Sequence, residues 1–204
     1  MIGPPCPGQA ASPGRTGGTA PLGRADRRGR LSHILRRLLT PYMSIGAVWE
    51  LDPQRLKEQG IRGLIVDLDN TLVDWDGRRV RPEVVAWARG VRGLGLKLCI
   101  TTNAHRKERV SAIAGELDAF WVAPARKPFS RAYSKPMAIM RTGRHDTAVV
   151  GDQIFTDVLG GNMMGLRTFL VRPLSRHDFP ATKISRVMER IVRPFLGLEG
   201  KPRC

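Results

Sequence analysis

Four short groups of residues in this chain could do chemistry. Asp67, Asp69 and Thr71 close the run Gly63-Leu64-Ile65-Val66-Asp67-Leu68-Asp69-Asn70-Thr71. Thr102 and Asn103 follow a second apolar run, and Arg126-Lys127-Pro128 follows a third. Gly151-Asp152-Gln153 closes a fourth, with Asp157 just beyond it. In an extended chain alternate residues point the same way, so Asp67 and Asp69 can face one substrate. One carboxylate can attack an electrophilic centre. The other can protonate a leaving oxygen and then activate water. If Asp67, Asp69, Asp152 and Asp157 gather, their repulsion must be offset before all can ionise. Lys127 offsets part of it. A divalent cation offsets more, and carboxylates are the hard oxygen ligands that Mg²⁺ prefers. A Mg²⁺ site beside a lysine and a threonine suits a phosphoryl group, whose charge needs both cations.

The elements that must position these residues alternate. Residues 63–68, 96–101, 119–122, 147–150 and 166–171 read as strands, with helical patterns between them, for example from Pro82 to Leu94. Pro82 suits a first helical turn. Such alternation predicts an α/β fold with a parallel sheet and helices on both faces. Strands covered on both faces explain near-continuous apolar runs such as Gly63-Leu64-Ile65-Val66. Each chemical group lies just past a strand's carboxyl end, where open parallel sheets bind ligands. A helix is expected over 129–141, and Pro136 within it is expected to end or kink it. Asp74-Trp75-Asp76-Gly77 reads as a hairpin turn with Asp76-Gly77 at its tip.

The flanks differ from this centre. Residues 1–30 are rich in Gly, Pro and Arg and read as a disordered arm. Residues 31–44 read as a basic amphipathic segment, with Leu31, Ile34, Leu35, Leu38 and Leu39 on one helical face. A globular domain is expected over 45–195 and a tail over 196–204. The last part of the domain, 182–193, reads as a helix that docks by Ile184, Val187, Met188, Ile191 and Val192.

The 204 residues carry a formal net charge of +16. That charge favours anionic partners: phosphorylated substrates, an acidic membrane surface or nucleic acid. Three cysteines, Cys6, Cys99 and Cys204, match no disulfide framework or metal spacing, which points to a reducing compartment. The four histidines are scattered and form no ligand cluster. No secretory signal and no membrane-length apolar run is visible, so the expected location is cytoplasmic, peripheral at the inner face of the membrane. Gly90, Gly93 and Gly95 lack the spacing of a dinucleotide fingerprint.

Taken in order, Asp67–Thr71, Thr101–Asn103, Arg126–Pro128 and Gly151–Asp157 resemble the four motifs of the haloacid dehalogenase (HAD) superfamily of aspartate-nucleophile phosphatases. The runs LDNTLVDWD, ARKP and GDQIFTDVLGGNMMG are similar to those of its YqeG family of IIIA-type phosphatases, across about residues 41–193. The resemblance implies a Rossmannoid, HAD-like fold and Mg²⁺-dependent phosphomonoester hydrolysis. It implies Asp67 as nucleophile, Asp69 as general acid/base, and Thr102 and Lys127 on the transferring phosphoryl group. It implies Asp67, Asp152 and the backbone carbonyl of Asp69 as metal ligands. Asp157 would orient Lys127 or a metal-bound water, and Thr71 and Asn103 would support the loops. The gaps before Thr102 and before Lys127 hold no inserted cap, so an open, capless site and a large or surface-bound substrate are expected.

Because the YqeG family is similar to mitochondrial phosphatases of phosphatidylglycerophosphate, that membrane lipid is the expected substrate. The alternatives are another large phosphorylated substrate, or an RNA- or ribosome-associated binder on the same scaffold. Aromatics at 6% leave few stacking residues for RNA. A phosphoreceiver domain would lack the second aspartate on the nucleophile's strand.

Overall fold

The computed structural model describes residues 33–175. In chain order its elements are α1 (residues 33–39), β1 (Met43–Ile45), a 3-10 turn (Val48–Glu50), α2 (Pro53–Glu58), β2 (Gly63–Val66), α3 (Pro82–Gly93) and β3 (Lys97–Thr101). They continue with α4 (Lys107–Glu116), β4 (Phe120–Val122), α5 (Arg131–Met140), β5 (Thr147–Gly151), a π turn (Ile154–Val158), α6 (Leu159–Met163) and β6 (Arg167–Val171). The strands form one sheet in the order β1-β6-β5-β2-β3-β4, and every pairing is parallel.

β2 lies inside the sheet, in register with β3 (Gly63 opposite Lys97) and β5 (Gly63 opposite Thr147). Its residues are buried throughout. Strand alternation divides them between two cores. Leu64 and Val66 pack with Val84, Trp87, Ala88 and Val91 of α3, Val110 and Ile113 of α4, and Leu56 of α2. Ile65 packs with Cys99, Val149 and the Ala132, Tyr133, Met137 and Met140 stripe of α5. Each fully buried Leu, Ile or Val side chain contributes about 1.5–3 kcal/mol. The helices thus cover both faces, as the alternating pattern predicts. Asp52 caps α2 by accepting from the Gln54 N–H at 2.9 Å, and Pro82 opens α3.

The five expected strands are present, four of them slightly shortened and β5 one residue longer. β1 is a sixth that the sequence reading does not contain; it is only three residues long and straddles the domain boundary expected at residue 45. Of the amphipathic segment, Leu39 packs on Ile154, Val158 and Leu170, whereas Ile34 and Leu35 are exposed. Asn162 Nδ2 pins this segment by donating to the carbonyls of Leu38 and Thr40, each at 2.9 Å.

Pro136 does not end the predicted helix, since α5 runs through it to Met140. Proline removes one backbone donor there, but Ala132, Tyr133, Pro136, Met137 and Met140 form a continuous buried face that carries the helix across it. Asp74–Gly77 forms a turn without hairpin strands. The Gly77 N–H donates to the Asp74 carbonyl at 2.8 Å, which puts Trp75-Asp76 at the tip, with Asp76 at φ 52°.

Between Asp69 and Thr102 the chain builds only α3, β3 and loops, and between Thr102 and Lys127 only α4, β4 and loops. The sheet edge is therefore capless among the described residues. No helix among them is long and apolar enough to cross a membrane. The expected arm at 1–30, the helix at 182–193 and the tail at 196–204 lie outside the described residues.

Candidate active site

Asp67 follows the last residue of β2, and its N–H donates to the Val150 carbonyl at 2.9 Å. Asp152 follows β5 in the same way. Asp157 comes back to them because the chain after Gln153 makes a π turn. There the N–H groups of both Asp157 and Val158 donate to the Gln153 carbonyl, at 3.0 and 3.3 Å. Carboxylate oxygens of Asp67, Asp152 and Asp157 consequently lie within 4.8 Å of one another, all three side chains buried.

Lys127 joins this group. Its Nζ donates to Asp67 Oδ1 and, at 2.6 Å, to Asp157 Oδ1. Its backbone is clamped by Asn103, whose Oδ1 accepts from the Lys127 N–H at 2.8 Å and whose Nδ2 donates to the Lys127 carbonyl at 3.2 Å. Thr102 ties the end of β3 to the same loop, since its carbonyl accepts from the Ala125 N–H at 2.8 Å. Its hydroxyl oxygen accepts from the Ala104 N–H at 3.0 Å. Thr71 is fully buried below the site, and its hydroxyl has no hydrogen-bond partner among the described residues.

Burial pushes the Asp67 carboxyl up to about 7. Lys127 works against that shift, and the nearby Asp157 and Asp69 carboxylates add to it. Burial works against the Lys127 ammonium, but Asp157 and Asp67 outweigh it and hold the group charged. One ammonium thus faces two buried carboxylates, Asp67 and Asp157, a deficit of positive charge. A buried set of carboxylate oxygens with that deficit fits a hard divalent cation.

Two glycines make the crowding feasible. A Cβ on Gly151 would stand 2.2 Å from Asp157 Cγ. A Cβ on Gly160 would stand 2.0 Å from the hydroxyl oxygen of Tyr133, which donates to the Thr156 carbonyl beside Asp157.

Asp69 sits apart from this cluster. Its Oδ1 accepts from Arg109 Nη2 at 2.6 Å and from the Asp76 N–H at 3.0 Å. Its Oδ2 accepts from Arg109 Nη1 at 3.3 Å. Asp67 and Asp69 nevertheless share one cavity of about 620 Å³, also lined by Thr102, Asn103, Lys127, Arg106, Arg109 and Trp75. The structure therefore brings Asp67, Asp152, Asp157 and Lys127 into contact range and places Thr102, Asn103 and Asp69 around them. The acidic side-chain cluster takes in Asp157 beside Asp67 and Asp152.

Arg109 is absent from that reading. It is charged and lies within a helix, so it reads as solvated surface. The available signal was its spacing: Arg109 falls four residues before Ile113, on the face of α4 that turns to the core.

A family model described as HAD-hydrolase-like matches residues 124–173. The chain is 34% identical over 167 residues to "Probable phosphatase YqeG" of Bacillus subtilis, an alignment that covers 82% of this chain and 96% of that protein. It is 26% identical over 178 residues to phosphatidylglycerophosphate phosphatase 1, chloroplastic/mitochondrial, of Arabidopsis thaliana, covering 82% of this chain and 51% of that one. Among solved structures, a HAD phosphatase from Thermococcus onnurineus aligns with a TM-score of 0.42 at 18% identity, over 54% of this chain and 58% of its own. With a third of the aligned residues shared along nearly the whole Bacillus protein, the chain belongs to the YqeG family of HAD-like phosphatases.

Proposed function

We propose that this phosphatase hydrolyses phosphomonoesters with Mg²⁺ through an aspartyl-phosphate on Asp67, and that its substrate is phosphatidylglycerophosphate. The observation that carries the mechanism is the buried meeting of Asp67, Asp152, Asp157 and Lys127, of which Asp67 and Lys127 line one open cavity. A carboxylate oxygen of Asp67 attacks phosphorus as the ester P–O bond breaks, and Asp69 gives its proton to the leaving oxygen. Water then attacks the phosphorus of the acyl phosphate while Asp69 takes up a proton, and phosphate leaves with Asp67 restored. Thr102 and Lys127 bind the transferring group, Asp157 holds Lys127, Asn103 clamps the lysine's backbone, and Thr71 supports the loop. Asp67, Asp152 and the Asp69 carbonyl would hold Mg²⁺, with Asp157 beside them. When bound, the cation supplies positive charge that neutralises the phosphoryl oxygens.

The lipid reading has separate support. The site is capless, so a substrate presented at a surface can reach it. Phe129, 71% exposed, follows closely on Lys127, and with Arg126, Arg131 and Lys135 it lines a second cavity of about 550 Å³. An exposed aromatic among cations suits an anionic interface. The Arabidopsis relative is named for this lipid. The test is phosphate release from phosphatidylglycerophosphate in mixed micelles, beside p-nitrophenyl phosphate. Much faster turnover of the lipid supports the reading. Cleavage of the aryl ester alone removes the lipid and keeps the mechanism.

Cation binding has its own readout. Mg²⁺ at about 100 times its Kd adds about 2.7 kcal/mol to folding stability. A clear rise in melting temperature is expected for the wild type and little or none for Asp152→Asn. Equal shifts in both proteins would take Asp152 out of the metal site.

Gly151→Ala tests the crowding. The new methyl group displaces Asp157 and with it Lys127, and a misplacement of about 1 Å costs about 10²-fold in kcat. A variant with wild-type turnover of p-nitrophenyl phosphate would show that Asp157 need not sit where it does.

A further inference from the structure

Arg109 is 5% exposed overall and spends its whole guanidinium on one corner of the cavity. Nη2 and Nη1 donate to the two oxygens of Asp69, at 2.6 and 3.3 Å. Nε donates to the Gly77 carbonyl at 2.7 Å, at the end of the turn whose Asp76 N–H also donates to Asp69 Oδ1. Arg106, one turn away on the same side, holds Asp76 Oδ2 at 2.9 Å. One arginine thus joins α4, the 74–77 turn and Asp69 into a single unit. A planar fork suits this task, because it fixes the plane of a carboxyl group as well as its position.

The two oxygens of Asp69 are treated differently. Oδ1 receives two donors at ordinary hydrogen-bond distance, whereas Oδ2 receives one long contact. A carboxyl group that must carry a proton keeps it on the oxygen least engaged by other donors, since a protonated oxygen becomes a donor itself.

We propose that Arg109 is a positioning residue for proton transfer: by engaging Oδ1 it orients the Asp69 carboxyl and leaves Oδ2 to carry the proton to the leaving oxygen. This rests on the reading of Asp69 as the general acid. Arg109 acts through Asp69 and does not take part in bond making.

The test is the dependence of kcat/KM on the leaving group. This parameter reports steps up to the first phosphoryl transfer, in which the acid acts. A p-nitrophenolate departs without a proton, whereas an alkoxide needs one. Arg109→Ala should lower kcat/KM by about 10²-fold for glycerol phosphate and by about threefold or less for p-nitrophenyl phosphate, the span expected of general-acid catalysis. Arg109→Lys keeps the charge and loses the fork, so it should show the same contrast in a protein of near wild-type melting temperature. Asp69→Asn should show it too, and adding Arg109→Ala to Asp69→Asn should cost little more, because the two act as a unit.

A uniform fall across both esters would overturn the proposal, and so would a rise in KM alone, which would make Arg109 a phosphate-binding group. If Asp69→Asn itself falls uniformly, the general-acid reading fails and this inference fails with it. If Asp69→Asn shows the contrast and neither Arg109 variant does, only the role of Arg109 is lost.

Discussion

Asp67→Asn is expected to lower phosphate release by at least about 10⁴-fold, the scale seen when a catalytic nucleophile is removed from a site that otherwise survives. The amide is nearly isosteric with the carboxylate, and its oxygen still accepts from Lys127 Nζ, so the buried contact between β2 and the Lys127 loop persists. The amide cannot form the acyl phosphate. Removing one of three clustered carboxylates also relieves repulsion, so the metal-free variant should melt no lower than the wild type. The check is steady-state hydrolysis of p-nitrophenyl phosphate beside a thermal melt. A folded variant that keeps more than about one hundredth of wild-type activity would remove Asp67 as nucleophile, because the losses expected of that role are far larger.

Lys127→Met has the second largest expected effect, and it acts on stability and activity together. Nζ is the ammonium that separates Asp67 from Asp157, and the side chain is almost fully buried. Without it two carboxylates face one another in a site with little water. Breaking a buried ion pair from one side costs about 3–5 kcal/mol, because the remaining charge is left uncompensated. Methionine fills the same space, so the loss reports charge and not a cavity. Mg²⁺ should recover much of the stability and little of the turnover, since the phosphoryl group still lacks its lysine. Urea unfolding with and without Mg²⁺, beside kcat, separates the two effects. A variant as stable as the wild type without metal would show that the acidic cluster needs no ammonium.

The strands were legible because burial on both faces leaves long apolar runs, and the chemical groups were legible because each interrupts or ends such a run. Asp67, Asp152 and Lys127 stand out against neighbours such as Val66, Gly151 and Pro128. What could not be read is what depends on contacts across the chain. Arg109 meets Asp69 forty residues away in sequence, and nothing local marks an arginine on a helix as a buried partner. β1 is not legible because three residues at a sheet edge, two of them exposed, carry no alternating pattern. Pro136 does not end α5 because the buried face overrides its low helix propensity, and that face is not legible from propensity alone. The approach of Asp157 to Asp67 needs a π turn and a glycine opposite it, and neither has a sequence signature beyond Gly151 itself.

The place of β2 between β3 and β5 also bears on how the molecule assembles. The contacts that complete the site join residues 60 and 30 apart in sequence, Lys127 to Asp67 and Lys127 to Asp157. The second of them needs β5, late in the chain, beside β2, because Asp157 follows β5. Closure of such distant parallel pairings is slow. Helical signal is therefore expected to return early during refolding while catalysis lags behind it, and recovered turnover will report the pairing of β5 with β2 rather than the first collapse.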